Sequence, residues 1–188
     1  MRRLLAAAVL VAALTVAGCG AGRSETVPKP STGTRATYFS SCPQPVGPAR
    51  GTPTLPGISL ACAGGSGRPV RLVRAFGHPT VVNLWASWCG PCRQELPEIQ
   101  RYADGHPDVL VLTVDTGDTR EAGASFAQDA KVSLPTLFDG DKKLLSGVGR
   151  SALPVTLLVT AEGRLAYTYN GTALTAAALG ALVRRYLS

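Results

Sequence analysis

"TVVNLWASWCGPC", residues 80–92, decides the fold. Thr80 to Ala86 is a nearly continuous apolar run with β-branched residues, broken only at Asn83. Such a run reads as a strand buried on both faces. Gly90 and Pro91 then open a helical segment, and proline suits a first helical turn because its missing N–H would be unpaired there anyway. Cys89 therefore stands where the strand ends and the helix begins. Helix N-termini carry unpaired N–H groups and the positive end of the dipole, and both favour a thiolate over a thiol. A cysteine so placed has its pKa lowered from about 8.5 by a unit or more. Cys92 follows one turn later, so the two sulfurs are adjacent, as a reversible disulfide needs. The cycle this implies begins with Cys89 attacking a substrate disulfide. Cys92 then attacks Cys89, releasing reduced substrate and leaving the pair oxidised. Run backward, the same steps oxidise a dithiol.

Regular elements continue on both sides of this stretch. Pro91 to about Tyr102 reads as helix, and Val109 to Asp115 as a second buried strand. Thr119 to about Ala130 is helix-like, with Asp118 as its candidate N-cap. Leu134 to Phe138 is a short strand before a Gly-Asp-Lys-Lys turn. Val155 to Thr160 and Leu165 to Tyr169 read as a hairpin about Glu162-Gly163. Thr172 starts a last helix, Ala173 to Tyr186, with Arg184 and Arg185 in its final turn. Upstream, Val70 to Val73 and a stretch around Ile58 to Ala61 can be strands, the latter inside a Pro- and Gly-rich loop from Cys42 to Gly67. Strands alternating with helices imply an α/β protein: a mixed, mostly parallel sheet with helices on both faces, behind an N-terminal extension. There is no internal repeat.

The chain has 188 residues, enough for one domain with a sizeable core. Its net charge of +7 is spread without a lysine or arginine run, which excludes nucleic acid as an expected partner. Residues 1–18 read as a secretory signal: Arg2 and Arg3 precede an uncharged, nearly all apolar Leu4 to Ala17, too short for a comfortable membrane span. Val16-Ala17-Gly18-Cys19 resembles the lipobox of bacterial lipoproteins, which implies a lipid on Cys19 and an anchor at the extracytoplasmic face of the cell membrane. The alternative is ordinary cleavage near Gly18 that leaves Cys19 a free thiol. Residues 19–41 read as the lipidated cysteine and a flexible tether, and 42–188 as the folded domain.

Five cysteines are an odd number for an exported protein, and a lipid on Cys19 leaves two pairs. A Cys42–Cys62 disulfide would close a loop of about 20 residues and add roughly 3 kcal/mol on the chain-entropy model. The alternatives for these two are a second redox pair or a metal site. No zinc-type spacing accompanies them, so no metal and no cofactor is expected. Haem attachment is excluded because Arg93, not histidine, follows Cys92. His78 and His106 read as loop residues, and Arg93 as a solvated one. Glu95 shares a helix face with Cys92. It reads either as a partly buried carboxylate that moves the Cys92 proton, or as a surface glutamate stabilised by the helix dipole.

Trp88-Cys89-Gly90-Pro91-Cys92 is the active-site motif of the thioredoxin superfamily, and "VVNLWASWCGPCRQELPEI", residues 81–99, resembles its membrane-tethered TlpA/ResA-like branch. The resemblance covers about Leu55 to the C-terminus. It implies a thioredoxin-like fold and a thiol-disulfide oxidoreductase. It also implies roles for single residues. "SALPVTLLV" resembles the segment of the superfamily's cis-proline, so Pro154 and the backbone of Leu153 would bind extended substrate beside Trp88 and the cysteines. Pro135 is a rival without a catalytic role. Pro97 matches the proline that kinks the active-site helix, and Glu95 the glutamate that this branch carries. Asn83 stands where cytoplasmic thioredoxins carry a buried aspartate. Ala86 stands where peroxiredoxins carry threonine or serine, which disfavours a peroxidase. The branch implies a reductant of exported proteins, with apocytochrome c as a frequent substrate and a CcdA/DsbD-type membrane thiol transporter as electron donor. Two other readings stay open: an oxidase that introduces disulfides, and a binding lipoprotein with a structural Cys89–Cys92 bond. No helix shows a sustained heptad pattern, so a monomer is expected.

Overall fold

The computed structural model describes residues 38–187. The signal segment 1–18, the lipidation candidate Cys19 and most of the 19–41 tether lie outside them. The described elements, in chain order, are β1 (Gly47–Pro48), β2 (Ser59–Cys62), β3 (Pro69–Arg71), β4 (Arg74–Ala75), β5 (Thr80–Trp85), α1 (Gly90–Gly105), β6 (Leu110–Thr116), α2 (Arg120–Asp129), β7 (Thr136–Asp139), α3 (Lys143–Gly147), β8 (Val155–Val159), β9 (Leu165–Tyr169) and α4 (Ala176–Tyr186).

The apolar run of residues 80–86 becomes β5, and every residue of that strand is buried. It lies inside a seven-stranded sheet of order β3-β2-β7-β6-β5-β8-β9. Parallel pairing is confined to β5–β6 and β6–β7. The β2–β3, β2–β7, β5–β8 and β8–β9 pairs are antiparallel. The sheet is mixed, with a smaller parallel share than alternating strands and helices imply. The reason is that β2, β3 and β9 enter through hairpins and loops, which need no crossover helix.

Alternate residues of each strand point to opposite faces. Val81 and Trp85 join a cluster with Leu96, Ile99 and Tyr102 of α1, Phe126 of α2 and Leu179 of α4. Val82 and Leu84 join the other cluster, with Leu144 and Leu145 of α3 and with Leu55, Leu72 and Phe76 from the N-terminal strands and loops. Helices therefore cover both faces. On the α1 face, four polar residues stand in register on adjacent strands: Thr136, Thr113, Asn83 and Thr156. All four are buried.

Local details differ from the sequence reading. Thr119, not Asp118, caps α2, with its hydroxyl accepting from Ala122 N–H at 3.2 Å. Asp118 is drawn away by a tertiary partner described below. The last helix starts at Thr175 rather than Thr172, because Thr175 Oγ1 accepts from Ala178 N–H. The Gly-Asp-Lys-Lys turn leads directly into α3, whose first N–H groups, on Lys143 and Leu144, are taken by Asp139 at 2.8 Å each. The Cys42 to Gly67 stretch is more than loop, since β1 pairs with β4 and β2 sits within the main sheet. Phe39 is buried in the α1-side cluster, so ordered chain begins ahead of Cys42. His106 is a helix terminus rather than a loop residue: it closes α1 and stacks on Tyr102, with ring centroids 4.0 Å apart.

Candidate active site

β5 ends at Trp85, and the chain turns through Ala86, Ser87 and Trp88 into α1. Cys89 caps that helix: its backbone is extended, and its Sγ accepts from Cys92 N–H at 3.3 Å. Cys89 and Cys92 are joined by a disulfide with a Cα–Cα distance of 5.3 Å. Cys92 is fully buried, whereas Cys89 keeps 4% of its surface exposed. Pro91 occupies the first turn of α1, and Pro97 lies inside it. The missing N–H of Pro97 leaves the Arg93 carbonyl without its helical partner.

The turn before Cys89 is fastened from three sides. Ser87 N–H donates to Asp118 Oδ2 at 2.6 Å. The Trp88 ring N–H donates to Gly117 O at 3.0 Å. Arg93 donates to Ser87 O at 3.1 Å, and its guanidinium lies 4.4 Å from the centre of the Phe126 ring. Arg93 is therefore not simply a solvated side chain. Gly117 adopts φ +64°, a left-handed conformation that favours glycine, where the β6–α2 loop reaches the indole. Held at its edge, the Trp88 ring is 59% exposed. It forms an apolar platform beside the cysteine pair.

Glu95 is 1% exposed, which excludes a surface glutamate. Its Oε1 accepts from Asn83 Nδ2 at 2.7 Å and its Oε2 from Leu174 N–H at 2.9 Å. Burial raises its pKa above the ordinary carboxylate value, and the bonds from Leu174 and Asn83 act against that rise. Asn83 Nδ2 also donates to Thr156 Oγ1 at 3.0 Å, while Asn83 Oδ1 has no hydrogen-bond partner among the described residues.

The Leu153–Pro154 peptide is cis. Leu153 packs against the cluster that contains both cysteines. Asn170, which the sequence reading did not single out, holds this loop: its Nδ2 donates to Pro154 O at 2.7 Å and to Ala152 O at 3.4 Å. The only other cis peptide among the described residues is Thr52–Pro53, so Pro135 is trans. Cys42 and Cys62 are bonded, with a Cα–Cα distance of 5.8 Å. Cys62 ends β2 against Leu137 of β7.

Two further acids at the site were missed, Asp115 and Asp118. Asp115 is 3% exposed in a strand otherwise built of apolar residues and threonines. That composition was the available signal. Burial raises its pKa to about 8, with the neighbouring Asp118 adding to the rise and Arg120 opposing it.

Residues 54–168 match the family described as AhpC/TSA. The thiol-disulfide oxidoreductase ResA of Bacillus subtilis (strain 168) is 28% identical over 109 residues, which cover 57% of this chain and 61% of ResA. The thiol:disulfide interchange protein DsbE of Allochromatium vinosum is 39% identical over 89 residues, covering 47% of this chain and 49% of that protein. The match thus spans about three fifths or less of these relatives. The crystal structure of StoA from Bacillus subtilis superposes with a TM-score of 0.56 at 25% identity, covering 66% of this chain and 96% of StoA. The fold is thioredoxin-like, as the residues around Cys89 imply.

Proposed function

The chain belongs to the AhpC/TSA family, and on that premise we propose that it is an extracytoplasmic thiol-disulfide oxidoreductase of the ResA type, anchored by a lipid on Cys19 and acting as a reductant. The observation that carries this reading is the Cys89–Cys92 disulfide closed across the first turn of α1. Accessibility supports Cys89 as the attacking sulfur, since Cys92 exposes nothing. The Cys89 thiolate attacks one sulfur of a substrate disulfide; that S–S bond breaks, one substrate thiolate leaves and a mixed disulfide forms. Cys92 then gives up its proton and attacks Cys89 Sγ. The second substrate thiolate leaves, the substrate has gained two electrons, and the Cys89–Cys92 bond has formed.

Glu95, buried one turn beyond Cys92, is the proposed acceptor of that proton. A raised pKa makes it a stronger base than an ordinary carboxylate. Asn83 suits both of its protonation states. Its Nδ2 donates to the carboxylate, and after an amide rotation its unpartnered Oδ1 would accept from the acid. Trp88 and the cis Leu153–Pro154 loop provide an apolar surface and backbone groups for extended substrate.

The proposed substrates are disulfides of exported proteins, apocytochrome c among them, with electrons supplied by a membrane thiol transporter of the CcdA/DsbD type. The resemblance of residues 81–99 and the relatives' names support this reading. Ala86, three residues before Cys89, argues against a peroxidase within the family.

Equilibrating the chain with glutathione or dithiothreitol buffers tests the direction. A potential near the thioredoxin value of about −270 mV fits a reductant, and one near about −120 mV makes the protein a disulfide donor instead. A pair that could not be reduced without unfolding the domain would leave a binding lipoprotein.

A further inference from the structure

Asp115 is an acid that neither the fold nor the proposed thiol cycle requires. It sits on β6 between Trp85 of β5 and Phe138 of β7, on the α1 face of the sheet. Helix α2 closes over it so tightly that a Cβ on Gly123 would stand 2.0 Å from Asp115 Oδ2. Among the described residues, no donor reaches Asp115 Oδ1. An ionised carboxylate there would lack the hydrogen bonds that make a buried charge tolerable.

Asp118 differs. It lies within hydrogen-bonding reach of Asp115. It also accepts two backbone N–H bonds, from Ser87 at 2.6 Å and from Thr119 at 2.8 Å. Two carboxyl groups in contact cannot both ionise cheaply, and this asymmetry decides which keeps the proton. Asp115, which lacks donors and whose pKa is raised, keeps the proton and donates it toward Asp118.

We infer that Asp115 and Asp118 share a single proton, and that this pair positions the Ser87–Trp88 turn leading into Cys89. Both are positioning residues, because their effect on the sulfur runs through the Ser87 N–H. The role in thiol chemistry rests on the function proposed above; the shared proton does not. The charged groups acting on Asp115 are Asp118, from the loop, and Arg120, from α2, whose guanidinium lies 4.2 Å from the centre of the Phe138 ring. Its strand neighbours, Trp85 and Phe138, carry no charge. Loss of the proton would set two negative charges in contact. Asp118 would then move off Ser87, and the turn would keep only the Trp88 and Arg93 bonds.

The test is a carbon-13 titration of the aspartate carboxyls in the full chain with both disulfides intact, where neither Cys89 nor Cys92 ionises. The expected result is that Asp115 titrates near pH 8, well above the ordinary carboxylate range, and that the Ser87 amide shifts with the same midpoint. Asp115 titrating in the ordinary range, or a Ser87 amide that ignores its midpoint, overturns the proposal. Asp115→Asn keeps a donor toward Asp118 but has no proton to lose. The pH profile of the alkylation rate of reduced Cys89 should lose one ionisation in that variant relative to the wild type; the same profile in both also overturns it. If Asp115→Asn does not fold, Asp118→Asn should lower the Asp115 midpoint, and an unmoved midpoint counts against the pair. An intact coupled titration in a protein without exchange activity would overturn the proposed function while leaving the shared proton standing.

Discussion

The two faces of the central sheet are built from alternate residues of the same strands, yet they differ in kind. Toward α3 the strands present Val82, Leu84, Leu112, Val114, Leu137, Val155, Leu157 and Val159, all apolar and buried, with the buried polar residues Thr80, Thr116 and Asp139 confined to strand ends. Toward α1 the same strands present the row Thr136, Thr113, Asn83 and Thr156, with Asp115 beside it and Glu95 above it. The polar row is satisfied largely from within: Thr113 and Thr136 hydroxyls meet at 2.7 Å, and Asn83 bonds Thr156 and Glu95. Both cysteines of the pair belong to the cluster on this second face. A one-residue offset therefore separates a face that contributes cohesion from one that holds protons and sulfur in place. A satisfied buried polar network rigidifies its surroundings and specifies one geometry.

The strongest way to break this division is Cys89→Ser, which should reduce disulfide exchange to the protein-free background while circular dichroism shows the sheet intact. On the opposite face, Leu112→Ala should lower the unfolding free energy by about 2–5 kcal/mol, read by denaturant titration. The Cys89–Cys92 potential should stay at the wild-type value, and a displaced potential would show that the faces are not separate.

Asp115→Asn probes the polar face through pH. The Asp115 pKa is raised from 3.8 to about 8, so between those values the folded state holds a proton that the unfolded state has released. Wild-type stability therefore declines as pH rises through this window. The variant lacks that decline and should gain on the wild type by up to about 1.4 kcal/mol per pH unit across the window. Parallel stability–pH curves for the two proteins would remove Asp115 from the account. Asn83→Asp sets a second carboxyl against Glu95, whose pKa is already raised by burial. Its stability deficit should grow with rising pH and shrink toward acid, where both groups are protonated in either state. The smallest effect belongs to Thr119→Ala, which removes the cap of α2 and should cost about 1 kcal/mol without shifting the potential.

What the sequence discloses follows the range of the interactions. β5, the cysteine pair and the order of the major elements are local patterns, and residues 80–92 carry them openly. The position of Glu95 was legible, but its burial was not, because one of its partners, the Leu174 N–H, is 79 residues away. Asp118 is a good N-cap type, and only the fold brings Ser87 N–H, 31 residues earlier, to claim it. Asp115 passed as the end of a strand because its surroundings come from β5, β7 and α2 together. The two-residue strands β1 and β4 are too short to leave any periodicity.

The disulfide connectivity has one more consequence. Four cysteines can pair in three ways, and here each bonds its nearest neighbour in sequence, Cys42 to Cys62 and Cys89 to Cys92. A polypeptide threaded through a membrane from its N-terminus would deliver Cys42 and Cys62 together before Cys89 arrived. Each crosslink could close in order of arrival. With Cys19 lipidated as proposed, the redox pair would then meet no earlier thiol to capture, and the protein would mature without an isomerase to correct it.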